Sequence, residues 1–285
     1  RQLVSFDWAV KRLLRDKANF DVLEGFLSEL LKREVRITNV LESESNKADA
    51  QDKYNRIDIV VEDTEGEIIL IELQFLLEID YFQRMLFGVS KSITDRMLQG
   101  YNYEKLKKIY SINIVYFDLG YGNGYAYHGK TDFRNMYDKN DILELSEKQR
   151  DTFGKIEAGD LYPEYYVLKV NKFDDVAKTT LDEWIYFLKK DRIEENFSAK
   201  GLRRAREILD YLRLSREDKA VYDAEQAAKS RYFSQINSAK EEGAWETKKI
   251  YSKVIEEKDK ALEEKDKTIA KQILEIEELR RLVKQ

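Results

Sequence analysis

The spacing of hydrophobic residues predicts that helices and strands alternate over residues 20–117. Helical spacing at 20–33 predicts an amphipathic helix, and the run EVRITNVLESE that follows alternates as a strand does. Two β-rich runs around DTEG predict a hairpin, and residues 81–101 have the spacing of a long helix. The apolar run at 109–117 is typical of a strand that is buried on both faces. The predicted order is α-β-β-β-α-β.

The rest of the chain is predicted to be mainly helical. EYYVLKV at 164–170 predicts one more strand, and the apolar residues of 180–215 recur at helical spacing. The chain then becomes steadily more charged. We therefore expect an α/β core with a mixed sheet at 1–172, a helical appendage at 173–240 and a long charged helix at 241–285.

The terminal segment carries a seven-residue repeat. Apolar residues occupy one heptad column: Ile255, Leu262, Ile269, Ile276 and Val283. This period supports a left-handed coiled coil. The second column that would face the partner helix lies three residues further on, and it is polar until its last member: Lys258, Lys265, Gln272 and Leu279. Two interpretations stay open: a homo-oligomer formed through residues 250–285, and a solvated helix held by Glu–Lys pairs worth about 0.2–0.5 kcal/mol each.

The amino-acid composition excludes several kinds of catalytic and metal site. The absence of cysteine excludes disulfides, cysteine–zinc sites and thiol nucleophiles, and it fits a reducing cytoplasm. His128 is the single histidine, which excludes poly-histidine metal sites and argues against serine–histidine catalysis. No apolar run approaches the length of a membrane span. The net charge of −5 means that binding to nucleic acid requires a local basic surface.

The predicted hairpin brings two carboxylates together. A three-residue loop at 64–66 sets a register in which Asp58 lies opposite Glu72 and Arg56 lies opposite Gln74. Directly opposed residues have Cβ atoms about 4.5–5.5 Å apart. Alternation places these four side chains on one face, while the other face is wholly apolar. The hairpin is therefore acidic at the end that lies away from its loop.

A divalent cation would remove the repulsion between these carboxylates. Mg²⁺, with Mn²⁺ as the second candidate, prefers hard oxygen ligands and is often held by one or two carboxylates together with substrate phosphates. Such an ion would lower the pKa of a bound water, and Gln74, on the same face, would hydrogen-bond that water. The alternative is an ordinary acidic pair that faces solvent, with Arg56 bridging to Glu72.

Several segments of the chain resemble the PD-(D/E)xK nuclease superfamily and, more narrowly, the bacterial recombination-promoting nucleases known as PD-(D/E)xK family transposases. The matching segments lie within 5–243 and include FDWAVKRLL, NFDVLEGFLSELL and RIDIVVEDTEGEIILIELQ. The resemblance implies a restriction-endonuclease-like α/β core at 1–172 and Mg²⁺-dependent hydrolysis of DNA phosphodiester bonds. It also implies a link to recombination or mobile elements, with strand joining as a further option. The main alternative is an inactive DNA-binding or scaffold protein of the same fold.

The resemblance assigns roles to individual residues. Asp58 and Glu72 become the metal-binding carboxylates, and the backbone carbonyl of Leu73 becomes a further ligand. Gln74 occupies the superfamily's lysine position. Glu24 matches the acidic residue that many members supply from their first helix, although a surface glutamate on an amphipathic helix is the commoner explanation.

Four basic residues near the hairpin are candidate phosphate contacts. Lys53 and Arg56 precede Asp58, while Arg84 and Lys91 lie seven residues apart on one face of the following helix. For each of them the alternative is an ordinary solvated surface residue.

Overall fold

A computed structural model describes residues 3–41, 58–98 and 102–283. The chain divides into two compact units, residues 1–216 and 217–285. The first unit holds the sheet and the shorter helices, and the second consists of the long C-terminal helix. Lys53 and Arg56 lie outside the described residues, and so does the predicted pairing of Arg56 with Gln74.

The described residues form helices and strands with the following bounds. The helices are α1 (Phe6–Arg12), α2 (Phe20–Leu31), α3 (Tyr81–Leu98), α4 (Glu147–Phe153), α5 (Thr180–Lys190), α6 (Leu202–Ile208) and α7 (Arg216–Val283). The strands are β1 (Ile37–Leu41), β2 (Ile59–Asp63), β3 (Ile68–Gln74), β4 (Ile109–Val115), β5 (Ala126–Gly129) and β6 (Glu164–Lys169). Several short 3₁₀ turns connect these elements.

The strands form one mixed sheet in the order β1-β2-β3-β4-β6-β5. β4 runs parallel to both β3 and β6, and the other neighbours are antiparallel. Between α2 and β4 the order of elements is the predicted α-β-β-β-α-β. The prediction of an α/β fold with a mixed sheet is confirmed, and the topology is consistent with a restriction-endonuclease-like core.

The hairpin of β2 and β3 has the predicted register, with Val60 paired to Leu70. The carboxylate of Asp63 fixes the loop, because its Oδ1 accepts hydrogen bonds from the N–H groups of Glu65 and Glu67, both at 2.9 Å. Gly66 supplies the left-handed backbone that the loop needs, with φ of 73°. Local turn chemistry therefore sets which residues of the two strands face each other.

Both faces of the hairpin are covered. The face that was predicted to be apolar is buried, and its members are Ile59, Val61, Ile69, Ile71 and Leu73. On the opposite face, Val60 and Leu70 cluster with Val89 of α3 and Ile109 of β4. Helix α3 thus packs on the hairpin face that also carries Glu72.

Strand β5 was not predicted. It lies in the glycine-rich segment 120–129, outside the strands predicted from the sequence, and its four residues are all exposed. It is a strand because Ala126–Gly129 pairs with β6 at the edge of the sheet, and not because of an apolar pattern.

Helices α5 and α6 belong to the first compact unit. Trp184 of α5 is fully buried, with ring centroids 6.1 Å from Phe6 of α1 and 5.4 Å from Phe26 of α2. These aromatic contacts tie α5 to the helices that precede the sheet, which explains why the unit extends beyond residue 172.

The terminal helix α7 is longer than predicted, because it starts at Arg216 rather than at 241. Its heptad residues are about half exposed: Ile255, Leu262, Ile269 and Ile276. No helix of the described ranges is both long and apolar enough to span a membrane.

Candidate active site

Asp58 lies immediately before β2, and its carboxylate is bound to β3. Its Oδ2 accepts a hydrogen bond from the Leu73 N–H at 2.7 Å. The last paired residues of the ladder at this end are Ile59 and Ile71, so one further step in the same register brings Asp58 opposite Glu72. The N–H and C=O of a strand residue point in the same direction, so the Leu73 carbonyl also faces the Asp58 side.

Glu72 is nearly buried, and its carboxylate is held by α3. Its Oε1 lies 2.6 Å from Nη2 of Arg84, and its side chain is 10% exposed. Burial raises the pKa of Glu72 to about 7; the positive charge of Arg84 opposes this shift, while the charges of Asp58 and Glu78 add to it. The negative charge of Asp58 therefore acts on the carboxylate of Glu72.

Helix α1 supplies the cation that faces Asp58. Nζ of Lys11 lies 3.5 Å from Asp58 Oδ1 and 2.6 Å from Oδ1 of Asp7. Arg15 donates a hydrogen bond to the backbone carbonyl of Asp58. Burial raises the pKa of Asp58, although Lys11 and the Leu73 N–H work in the opposite direction.

Gln74 is connected to Glu72 through a second acid. Its Nε2 donates to Oε1 of Glu78 at 2.7 Å and to the carbonyl of Leu76 at 3.3 Å. Glu78 in turn accepts from Nη1 of Arg84, at 2.7 and 2.8 Å. Arg84 therefore bridges the carboxylates of Glu72 and Glu78.

Two buried polar side chains lie beside Glu72. Asn113 of β4 pairs with Glu72 in the parallel register, and its Oδ1 accepts a hydrogen bond from the Tyr81 hydroxyl at 3.3 Å. Tyr81 is fully buried. Burial, together with the negative charge of Glu72, raises the pKa of Tyr81 far above its usual range, so the tyrosine stays neutral.

The sequence did not indicate Lys11, Asp7 or Glu78 as members of this group. Asp7 and Lys11 stand one helical turn apart in FDWAVKRLL, a segment that carried part of the family resemblance. Their approach to Asp58 depends on how α1 packs against the hairpin, and no local pattern encodes that contact. Glu78 lies in the loop before α3, where hydrophobic periodicity gives no information.

The structure does not bring Glu24 to this group. Its carboxylate accepts a hydrogen bond from the Ile37 N–H at 2.9 Å and lies 3.2 Å from Nη1 of Arg36. Ile37 pairs with Asp63, at the loop end of the hairpin. Five strand residues, or about 17 Å, separate that end from Asp58.

The candidate phosphate contacts are dispersed. Arg84 lies within the site, where it binds Glu72 and Glu78. Lys91 lies about 10 Å further along α3, two turns later.

The donor atoms fit a hard divalent cation. The carboxylates of Asp58 and Glu72 and the carbonyl of Leu73 are oxygen donors of the kind that Mg²⁺ prefers. The described residues contain no cluster of three or more His, Cys, Asp or Glu side chains that could hold a metal ion, so substrate or water oxygens would have to complete the shell. Four acids and three bases meet here: Asp7, Asp58, Glu72, Glu78, Lys11, Arg15 and Arg84.

A mixed sheet whose central hairpin carries two carboxylates at one end is consistent with an α/β fold of the restriction-endonuclease-like class. Residues 4–239 match the model of a family described as PD-(D/E)XK nuclease family transposase. The chain therefore belongs to this family, which confirms the predicted resemblance and indicates a nuclease or transposase type of function. Comparison with curated proteins and with solved structures gives no match.

Proposed function

We propose that the protein is a metal-dependent endonuclease that hydrolyses phosphodiester bonds of DNA. The observation that carries the proposal is the hydrogen bond from the Leu73 N–H to the Asp58 carboxylate, which holds this acid beside Glu72 on the adjacent strand. Membership in a nuclease family supports the same reaction class and favours DNA as the substrate. A role in recombination or mobile elements follows from the family alone.

Asp58, Glu72 and the carbonyl of Leu73 would hold the cation, Mg²⁺ or alternatively Mn²⁺. When bound, such an ion polarises a phosphate oxygen and lowers the pKa of a coordinated water. The protein's own contribution is to fix the ligands in advance. Asp58 is held by Leu73 and Lys11, and Glu72 is held by Arg84, so both carboxylates have fixed positions before substrate arrives.

Gln74 would orient the attacking water. Its Nε2 donates to Glu78, which leaves Oε1 as the acceptor for a water proton. An amide neither carries charge nor takes up a proton, so Gln74 positions the water without acting as a general base. The proton would then leave to solvent or to a phosphate oxygen of the substrate.

Phosphate binding would depend on local positive charge, because the chain as a whole carries a net charge of −5. Lys53, Arg56 and Lys91 remain proposed contacts for the DNA backbone. Arg84 would reach a phosphate only by giving up part of its contact with Glu72 or Glu78.

One observation favours a second candidate, an inactive DNA-binding or scaffold protein of the same fold. Each of the two carboxylates already has a cationic partner, Lys11 for Asp58 and Arg84 for Glu72. A centre of this kind is partly neutralised without a metal. Assembly through residues 250–285, where the heptad residues are half exposed, would serve either function. The absence of cysteine favours a reducing compartment such as the cytoplasm.

Nicking of supercoiled plasmid by the full chain tests the proposal. We expect cleavage with Mg²⁺ or Mn²⁺ and none with EDTA, and we expect Asp58→Ala to lower the rate by at least about 100-fold. Lys148→Met, on the exposed side of α4, serves as a control for surface charge. Equal cleavage by the parent and Asp58→Ala would remove Asp58 from the mechanism, and a parent without cleavage would favour the inactive scaffold.

A further inference from the structure

We propose that Lys11 contacts a backbone phosphate of nucleic acid bound at the site formed by Asp58 and Glu72. It would thereby supply the positive charge that Gln74, at the end of β3, does not carry. This inference rests on the proposed function, because it takes nucleic acid as the ligand.

The position of Lys11 suits this role. Its ammonium lies 3.5 Å from Asp58 and 2.6 Å from Asp7, one helical turn earlier on α1. The side chain of Lys11 is 45% exposed, whereas that of Asp58 is 12% exposed. Of the two side chains in contact, Lys11 is therefore the more accessible to a ligand that approaches Asp58.

The ammonium also has donor capacity for a ligand. A lysine offers three N–H donors, of which Asp7 and Asp58 engage two. The two carboxylates that contact the ammonium match its positive charge, so Lys11 takes part as a cation and not as a base.

The other two cations at the site, Arg84 and Arg15, are held by contacts within the protein. Arg84 is 17% exposed and binds both Glu72 and Glu78. Arg15 donates to the backbone carbonyl of Asp58, so its guanidinium holds the chain that precedes β2. Among these three cations, Lys11 is the one that combines high exposure with direct contact to a predicted ligand carboxylate.

A point charge at this place would serve both binding and reaction. Each phosphate contact by a lysine adds about one unit to the salt dependence of DNA affinity. A donor that is aimed at negative charge developing in the transition state contributes about 100-fold to 1,000-fold in rate in oxyanion holes, and a cation on a phosphate oxygen acts by the same principle. The alternative is that Lys11 only neutralises Asp58 and attaches α1 to the hairpin.

A double-mutant cycle separates these two roles. The affinity of the full chain for a short fluorescein-labelled DNA duplex is measured by anisotropy across a KCl series, with EDTA present to prevent cleavage. The proteins are the parent, Lys11→Met, Asp58→Asn and the double variant. Direct contact predicts that removing Lys11 lowers the slope of log affinity against log salt by about one in both backgrounds. An action through Asp58 predicts that the effect disappears when Asp58 is already neutral, and that result would overturn the inference.

Matched variants control for charge and folding. Lys148→Met removes one positive charge from α4 and should keep the parent slope, while Lys11→Arg should restore most of it. Lys11→Gln is the second variant if the methionine variant has a lowered unfolding temperature. Unchanged slopes for both Lys11→Met and Lys11→Gln would also overturn the inference.

The test of Lys11 can be separated from the test of the proposed nuclease function. A parent that binds the duplex but does not cleave plasmid contradicts the nuclease function, while the salt slopes still decide the role of Lys11. If cleavage by the parent depends on Asp58 but the salt slope does not depend on Lys11, the nuclease function stands and the proposed phosphate contact of Lys11 is wrong. In an active parent, we expect Lys11→Met to lower kcat by about 100-fold, with Lys11→Arg within about tenfold.

Discussion

Arg84 holds the carboxylate of Glu72, with 2.6 Å between Nη2 and Oε1, and both side chains are largely buried. The same guanidinium binds Glu78, whose Oε1 accepts from Gln74. Helix α3, which follows the hairpin in sequence, thus places the guanidinium of Arg84 at the acidic end of the hairpin. The arginine that the sequence indicated as a phosphate contact is the partner of a predicted metal ligand.

Replacing Arg84 should therefore destabilise the protein. Arg84→Met leaves the buried Glu72 charge without its closest cation, which costs about 3 kcal/mol in buried pairs. We expect a lower urea midpoint with EDTA present and recovery of most of the loss in Glu72→Gln/Arg84→Met. Equal midpoints for the parent and Arg84→Met would show that the pair contributes nothing to stability.

Metal binding should depend on the charge of Asp58. Asp58→Asn keeps an oxygen that can accept from the Leu73 N–H but loses the negative charge. We expect Mn²⁺ or Mg²⁺ to raise the unfolding temperature of the parent, since a ligand of the native state stabilises it, and to leave Asp58→Asn unchanged. Arg12→Met on the same helix as Lys11 should keep the parent response. A shift of equal size in Asp58→Asn would place the ion elsewhere.

The pairing of the hairpin could be predicted from the sequence because it depends on local patterns. The loop at 64–66 and the alternation of the strands fix the pairing of Val60 with Leu70, and this pairing in turn places Asp58 beside Glu72. Strand β5 could not be predicted in this way. Its exposed residues have no apolar period, and only pairing with β6 makes the segment a strand.

The partners of the acids could not be predicted, for a different reason. Lys11 reaches Asp58, and Arg84 reaches Glu72, only after helices α1 and α3 have packed on the sheet. The family resemblance assigned Glu24 to the site, yet its carboxylate accepts a hydrogen bond from the N–H of Ile37 at the start of β1. Side-chain spacing within one element carries no information on which distant element it will meet.

Gly25 in α2 should not tolerate a side chain. A Cβ at this position would lie 2.3 Å from the carbonyl oxygen of Lys200 and 2.6 Å from Cα of Gly201, and both are backbone atoms. Gly25→Ala gains about 1 kcal/mol in helix propensity, but overpacking of this kind costs about 1–3 kcal/mol or more. We expect a lower urea midpoint by the fluorescence of the buried Trp8 and Trp184.

Gly243 offers the matched control for this substitution. It lies within α7, and a Cβ there would meet nothing within 4 Å. Gly243→Ala should therefore leave the tryptophan transition at the parent midpoint or raise it slightly. A Gly25→Ala variant as stable as the parent would show that α2 and the chain at Gly201 can separate without cost.

Self-association should depend on the heptad residues of α7. Leu262 and Ile269 are each about half exposed in the single helix and belong to the apolar column. If residues 250–285 form a coiled coil, Leu262→Lys/Ile269→Lys should convert an oligomer into a monomer in sedimentation velocity, since a charge in the seam opposes association. The exposed position Ser252 gives the control, Ser252→Lys, which should sediment as the parent does. A monomeric parent would leave α7 as a solvated helix.

Acid stability should depend on Glu164 of β6. Its Oε1 lies 2.5 Å from Nζ of Lys108, and its Oε2 lies 2.8 Å from Nε2 of His128. Burial alone would raise the pKa of Glu164, but the hydrogen bonds from Lys108 and His128 outweigh burial and hold the pKa below its ordinary value of 4.5. The folded state therefore binds this proton less readily than the unfolded state does.

A carboxylate with a lowered pKa in the folded state contributes stability that is complete above the unfolded value and is lost as the pH falls through the folded value. The urea midpoint of the parent should therefore decline as the pH is lowered from 4.5, and Glu164→Gln should start from a lower midpoint and decline less steeply. Glu147→Gln, on the exposed α4, changes the same chemical group and should keep the steepness of the parent. If Glu164→Gln declined as steeply as the parent, the acid sensitivity would originate from other carboxylates.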